Sequence, residues 1–390
     1  MLPFEEALKI IEQESFVLGT ESIPLQDCCG RVLAEDVLSD TDMPPFDKSA
    51  MDGFACRRDD LGHRLEIIET VSAGDIPRKR IEKDQCSRIM TGARVPEGAD
   101  CVVMVEHTET NDGFIRFTGT KTAINIAFTG EDLKRGDRAL ARGTLLRPQH
   151  IAVLAAIGCT RPPVYRQPRV AVLTTGDEIV EPDVRPEGTC IRNSNGPQLV
   201  AQINSMSAIA DYHGIVKDTP ELTDSAIKSA LSGNDTVIIT GGVSMGDFDF
   251  VPSVLIKNGV ELFFEKVAVK PGRPTVFGRR GRVSVFGLPG NPVSSFTIFE
   301  LMVKPHLYRM MGHEYSPPVL RLPMGVDYLR KKADRIAWAP VYIDEEGMVT
   351  PVDYHGSAHI HSLSGAWGLL GIPKDVFGYK KGELVNVRQI

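Results

Sequence analysis

The sequence predicts a multi-domain α/β protein: a central sheet covered by helices on both faces, with β-rich regions before and after it. Three observations carry this. The chain has 390 residues, more than a single hydrophobic core ordinarily serves. From Pro168 to about residue 312, strand-like and helix-like runs alternate, which is the pattern of a mainly parallel sheet. On either side, short apolar runs stand between Pro- and Gly-rich turns. The expected division is an elongated N-terminal region at 1–167 with a β domain inserted at about 52–138, an α/β domain at 168–312, and a small β-barrel-like domain at 313–390.

The elements follow in order. The start, MLPFEEALKIIEQES, is acidic, spaces its apolar residues as a helix does, and has Pro3 near the first turn; it does not resemble a secretory leader. TDMPPFDKSAMDGFA, SAGDIP, TGARVPEGAD and GEDLKRGD then break the chain into β-type runs such as CVVMVE and FIRFTG, and RPQHIAVLAAIGC closes the region as a helix. RVAVLTTGDE reads as a strand, GPQLVAQINSMSAIA as a helix, GIVKD as a strand and ELTDSAIKSAL as a helix. DTVIITGG is a strand and FVPSVLIKNG a helix. VAVK, PTVFG and RVSVFGLPG are strands, and NPVSSFTIFELMVKPHLYRMM is one long helix. Met90, Met104 and the Met310–Met311 pair read as core filler.

Composition excludes several classes. Hydrophobic content of 42% and charged content of 24% are those of a soluble globular protein. A net charge of −7 argues against a general nucleic-acid or anionic-membrane surface. No run approaches the roughly 20 apolar residues of a membrane-spanning helix. The seven cysteines are odd in number and form no CxxC pair, which favours reduced thiols and a cytoplasmic location over a disulfide frame or a zinc knuckle.

Three strands of the middle region end alike, in TTGDE (174–178), TGGVSMGD (240–247) and GLPGNP (287–292). In open parallel sheets, ligands bind outside the carboxyl ends of the strands. Glycine lets backbone N–H groups approach an anion closely, and the helices that follow turn their N-termini to the same edge. A phosphate-bearing ligand is therefore expected there. Asp177, Glu178, Asp247 and Asp249 supply carboxylates beside it, suited to Mg²⁺, although Asp247 is equally suited to capping the helix that follows. KVAVKPGRPTVFGRRGR (266–282) holds six basic residues and no acid; on a strand Lys266 and Lys270 share a face, and PGRP presents Arg273, as an oxyanion site requires. RRGR (279–282) reads instead as a solvated hairpin turn. GxxxxGK[ST] is absent and GGVSMG is not GxGxxG, which disfavours P-loop ATPases and dinucleotide-binding dehydrogenases. The histidines of HGSAHIH (355–361) are too loosely spaced to argue for a metal.

PPFDKSAMDGFA, IMTGARVPEGADCVVMVE, LTTGDE, TGGVSMGDFDF, VAVKPGRPTVFG, GLPGNPVSSF and GSAHIHSL occur in the order and spacing of one family. The chain resembles the MoeA family, molybdopterin molybdenumtransferases, which includes the E domain of gephyrin. The resemblance implies insertion of molybdate into adenylylated molybdopterin, with Mg²⁺ and release of AMP, in a homodimer whose cleft combines the α/β domain of one subunit with the N-terminal β region of the other. A molybdopterin adenylyltransferase is a candidate docking partner.

Residue by residue, Asp52 and Thr91 match cleft-facing positions, although Asp52 by itself reads as a turn-former before Gly53. Glu178, Asp218 and Asp249 match acidic positions around nucleotide and metal, with Glu178 and Asp249 as the expected Mg²⁺ ligands. Lys266 and Lys270 match functional lysines. Gly241, Gly242, Ser244, Gly246, Arg273, Pro274, Pro289, Pro292 and Ser294 match the pterin or molybdate pocket, and Arg335 and Ser357 the C-terminal part of the site. Three departures stand out. Asn193-Ser194-Asn195 replaces Asp-Ser-Asn, Arg273 replaces a common lysine, and Ala339-Pro340 lies where a second C-terminal arginine is usual. Two other readings stay open: an ATP-dependent molybdopterin adenylyltransferase, and a non-catalytic molybdopterin-binding scaffold.

Overall fold

A computed structural model of the chain describes residues 1–243, 250–352, 356 and 358–390. Among them run seven α-helices: α1 (Phe4–Glu14), α2 (Pro148–Ala156), α3 (Asn195–Asn204), α4 (Pro220–Ala230), α5 (Val251–Lys257), α6 (Pro292–Ile298) and α7 (Lys304–Met310). Three six-stranded sheets carry the rest of the architecture.

The first sheet lies in the N-terminal part. Gly53–Cys56 pairs antiparallel with both Gln85–Ile89 and Cys101–Met104, and Arg64–Val71 runs parallel to Gln85–Ile89. Two-stranded ladders bind the segments that lead in and out: Thr20–Ser22 with Pro163–Tyr165, Val37–Leu38 with Arg138–Leu140, and Lys48–Ser49 with Ile126–Ala127.

The central sheet has the order Ile209–Val216, Arg169–Thr175, Thr236–Thr240, Val283–Leu288, Val276–Arg280, Glu261–Phe264. The first four strands run parallel, Val276–Arg280 runs against them, and Glu261–Phe264, antiparallel to Val276–Arg280, runs with the first four again. Side chains alternate between two cores, as the period of two requires. Val170, Val172, Ile238 and Phe286 face α1, α3, α6 and α7, whereas Ala171, Leu173, Val237 and Val285 face α4 and α5. The strand Glu261–Phe264 is an edge element that the sequence pattern does not reveal. The helix expected over GPQLVAQINSMSAIA stops at Asn204, and Ile209–Ala210 already belong to the next strand.

The segment expected as one long helix is continuous from Pro292 to Met310 but widens into a π-helical turn at Phe299–Val303. Pro305 explains it: proline has no N–H and its ring crowds the preceding turn, so the regular i→i−4 ladder cannot pass through. RRGR is a hairpin turn, with Arg280 paired to Val283. It is anchored rather than merely solvated, because Arg279 meets Glu14 at 2.8 Å and the Arg282 guanidinium lies 4.8 Å from the Phe16 ring centroid.

The third sheet has the order Val269–Lys270, Ile336–Ile343, Gly368–Ile372, Leu384–Gln389, Val319–Pro323. Val349–Pro351 pairs with Ile336–Ile343, and the Met324–Val349 bridge links the far edge back to it, which closes the layer into a barrel-like ring around Met324, Val341, Val349, Leu370 and Val387. The VAVK strand thus joins the C-terminal sheet, not the central one.

At the junction of α1 and α7 lies His306, 1% exposed, with its ring packed edge-on against Phe277 and Phe286. Ser15 Oγ gives its hydrogen to Ile11 O at 2.6 Å, so the 2.7 Å contact with His306 is a bond donated by Nδ1. Burial pushes the imidazole pKa down to about 3, well below its value of 6.5 in an unfolded chain. A lowered folded pKa means that the unfolded chain binds the proton first. The stability is therefore complete above about pH 6.5 and declines as pH falls below it, by at most about 1.4 kcal/mol per pH unit for one group. Asn at this position retains a donor near Ser15 and does not titrate. Thermal unfolding of His306→Asn from pH 7 to pH 5 should show a shallower fall in Tm than the wild type; an equally steep fall would mean that other groups set the acid sensitivity.

Candidate active site

The three glycine-bearing turns do meet. Thr174, Thr240 and Leu288 occupy one row across the three adjacent parallel strands, so the chain leaves the sheet at the same level three times. The turns that follow line one cleft of about 570 Å³, a volume suited to a small-molecule ligand. Of the expected site residues, Glu178, Asp218, Gly241, Gly242, Pro274, Pro289 and Pro292 line it.

Glycine is required at the second turn. Gly241 and Gly242 have φ of 95° and 61°, and a Cβ on Gly241 would lie 2.4 Å from the Thr175 carbonyl oxygen. Two strand ends approach each other here so closely that no side chain fits between them. Asp177 fixes the first turn to its neighbour: its Oδ1 accepts the Asp218 N–H at 3.2 Å, and its own carbonyl accepts Lys217 Nζ at 2.9 Å. Asp177 is thus a clamp that sets Asp218 on the same wall as Glu178, which is exposed. Glu178, one of the two expected Mg²⁺ ligands, thus borders the cleft together with Asp218, and both are hard oxygen donors of the kind Mg²⁺ takes. Ser244, Gly246, Asp247, Asp249 and Ser357 lie outside the described residues.

The start of α3 forms another wall that the sequence patterns do not assign. Asn193 accepts the Gly196 N–H at 3.0 Å and donates to Tyr212 Oη at 2.8 Å, and Tyr212 donates to Glu181 at 2.8 Å. A carboxylate at 193 has no hydrogen to give Tyr212, which accounts for asparagine where the family pattern has an acid. Arg192 brings a cation to the cleft, and Ala358 and Ile360 border it from the C-terminal region. The signal for these residues is present in Asn193-Ser194-Asn195 ahead of a helical pattern, but side chains with so many hydrogen-bonding options do not reveal their partners in one dimension.

The basic residues sit on a loop beside the cleft. Val267 N–H bonds Arg273 O at 3.0 Å and closes the loop, and Leu2 pairs along its outer side through Lys266 O and Ala268 N–H. Val267 and Val269 are buried, Lys266 is half-buried, and Lys270 and Arg273 are exposed, so the expected alternation holds although the strand itself spans only Val269–Lys270. That strand pairs parallel with Ile336–Ala337, which brings Arg335 next to the loop. Ala339 is 7% exposed and belongs to the C-terminal core, so this strand supplies no second guanidinium from that position. Ser294 is 3% exposed within α6 and does not line the cleft.

Asp52 and Thr91 belong to the N-terminal part and do not line the cleft of their own chain. They are paired with each other: Asp52 Oδ1 accepts the Thr91 N–H at 2.7 Å and its hydroxyl at 3.0 Å. These two donors hold the Asp52 carboxyl below the usual range, so it is ionised at neutral pH.

Known proteins share this architecture from end to end. Residues 2–158 match the MoeA N-terminal region (domains I and II), 171–309 the probable molybdopterin binding domain, and 326–390 the MoeA C-terminal region (domain IV). The molybdopterin molybdenumtransferase of Staphylococcus epidermidis is 36% identical, covering 98% of this chain and 94% of its own length. That of Bacillus subtilis is 35% identical, covering 99% and 93%. The crystal structure of the molybdopterin biosynthesis MoeA protein of Pyrococcus horikoshii OT3 superposes with a TM-score of 0.86 at 31% identity, with both chains fully covered. With its three regions, its cleft at the strand ends and these full-length relatives, the chain belongs to the MoeA family, the molybdopterin molybdenumtransferases.

Proposed function

We propose that this protein inserts molybdate into adenylylated molybdopterin and releases AMP. The observation that carries the reading is the single cleft formed by three glycine-bearing turns, with Glu178 and Asp218 on its wall and the Lys266–Arg273 loop at its side. Backbone N–H groups of the turns suit phosphate oxygens, and Arg192 adds positive charge to the cleft. Lys270 and Arg273 are exposed on the adjoining loop, where a doubly charged tetrahedral oxyanion would be received. Asp249, with Glu178 or Asp218, would hold Mg²⁺. When bound, that ion neutralises phosphate charge and orders the oxygens for displacement. The chain's own part is positioning: it aligns the phosphates, brings the oxyanion beside the dithiolene sulfurs and leaves AMP free to depart.

The match of all three regions favours this reading over an adenylyltransferase, which the α/β unit alone would suffice to form. A homodimer in the cytoplasm completes the proposal, with Asp52 and Thr91 of each subunit reaching the cleft of the other. No helix among the described residues is long and apolar enough to cross a membrane.

The deciding assay is anaerobic AMP release from adenylylated molybdopterin with Mg²⁺, with molybdate or tungstate added in turn. Release that depends on the oxyanion supports transfer; a nucleotide that stays bound and intact supports the scaffold reading. In that assay Lys270→Ala should lose about 10²-fold in rate, as removal of one ionic contact to a developing charge does, with Tm unchanged. Near-normal turnover would remove Lys270 from the site. For the shared cleft, Asp52→Ala and Lys270→Ala proteins, each nearly inactive, should recover activity when unfolded together and refolded. About a quarter of the wild-type rate is expected, because half the dimers are mixed and each holds one intact site. No recovery would place both residues on the same subunit's cleft or exclude Asp52 from it.

A further inference from the structure

The cleft is built from turns, and turns keep a fixed separation only when something ties them together. The backbone supplies one tie, from Gly241 N–H to the Leu288 carbonyl at 3.2 Å, and a carboxamide on a third element supplies another. Asn195, the first residue of α3, is 5% exposed. Its Nδ2 donates to Thr240 Oγ1 at 2.9 Å and to the Gly290 carbonyl at 2.7 Å. Thr240, fully buried, passes its own hydrogen to the Pro289 carbonyl at 3.1 Å. The orientation of the amide follows from these partners, since the flipped form would turn its oxygen toward the Gly290 carbonyl. Both donors are therefore spent, one on the end of the Thr236–Thr240 strand and one on the turn after Val283–Leu288.

The remaining atom makes the case for function. Asn195 Oδ1 is buried and has no hydrogen-bond partner. A buried acceptor without a partner costs stability and calls for an explanation. Stability alone does not supply one, whereas the spacing of the two turns does, because a donor pair fixed on a helix start reaches both at once. Carbon, or a single hydroxyl, at this position cannot bridge them.

We propose that Asn195 is a positioning residue that sets the separation of the 240–243 turn from the 289–292 turn. It rests on the reading of this cleft as the site of the adenylylated molybdopterin, whose phosphates would lie between those turns. Thr240 is the other half of the tie.

The test has two arms. In ligand-free protein, hydrogen exchange followed by mass spectrometry should show Asn195→Ala raising exchange in peptides over 236–243 and 284–292 together, with peptides over 336–343 unchanged. In the AMP-release assay, Asn195→Asp, of equal size but without the two donors, should lower kcat by about ten- to a hundredfold with little change in KM, as misplacement of reacting groups does. Thr240→Val should show a smaller loss of the same kind, and Thr240→Ser, which keeps the hydroxyl, should restore the wild-type value. Exchange that rises only around residue 195, an unchanged kcat in Asn195→Asp, or a Thr240→Ser protein no better than Thr240→Val would each overturn the proposal. Should the wild type release no AMP at all, the proposed function falls, and the exchange arm still decides whether Asn195 ties the turns. If Asn195→Ala does not fold, Asn195→Asp and Thr240→Val carry the exchange arm.

Discussion

The register of the parallel ladder is the constraint on which the rest depends. Thr174, Thr240 and Leu288 stand in one row because Arg169–Thr175, Thr236–Thr240 and Val283–Leu288 pair without offset at their carboxyl ends. A slip of one residue would exchange the two cores, sending Val172 and Ile238 to the side of α4 and α5. With both faces buried, the register is held by packing, and the three turns are delivered to the same level. Everything the cleft offers follows from that: the close approach at Gly241, the carboxylates of the first turn, and the reach of a single asparagine across two turns.

The flanking regions are tied to this sheet by polar contacts as well as by a shared apolar core. Glu300, 4% exposed in the π-helical turn, accepts Lys304 Nζ and Gln202 Nε2, each at 2.8 Å. Its backbone carbonyl accepts Arg388 Nη2 from the last strand of the C-terminal sheet. The widened turn that Pro305 demands is thus also where the C-terminal region is fastened to the central one. On the other side, Leu2 pairs with the Lys266–Arg273 loop, and Arg279 and Arg282 hold the start of the chain through Glu14 and Phe16. The basic loop is consequently braced from three directions: the chain's first residues, the C-terminal sheet and the central sheet.

Much of this fold is legible in the order of the residues. The alternation of RVAVLTTGDE, DTVIITGG and RVSVFGLPG with helical runs announces a parallel sheet, because strands buried on both faces are written in β-branched residues. Glycines at three strand ends announce the cleft, since bare backbone at that place has few other uses. Glu261–Phe264 escapes notice because an edge strand of four residues has too short a pattern to separate from a turn. VAVK reads as one more strand of the central region because nothing local distinguishes one sheet from another; its partner, Ile336–Ala337, lies more than sixty residues away in the chain.

Local runs of residues announce most of the elements and their order, a cleft where three strands end in glycine, and the family, because each of these is written in short stretches and their spacing. Tertiary structure alone decided which residues share a wall. It made Asp177 a clamp on the Asp218 backbone, gave Asn193 a hydrogen-bond donor's task, set Ala339 in a core and Arg335 beside the basic loop, and made Asn195 a link between two turns. The physical reason is common to all of them. A polar side chain's role is fixed by the partners that folding brings to it, and those partners come from other elements of the chain.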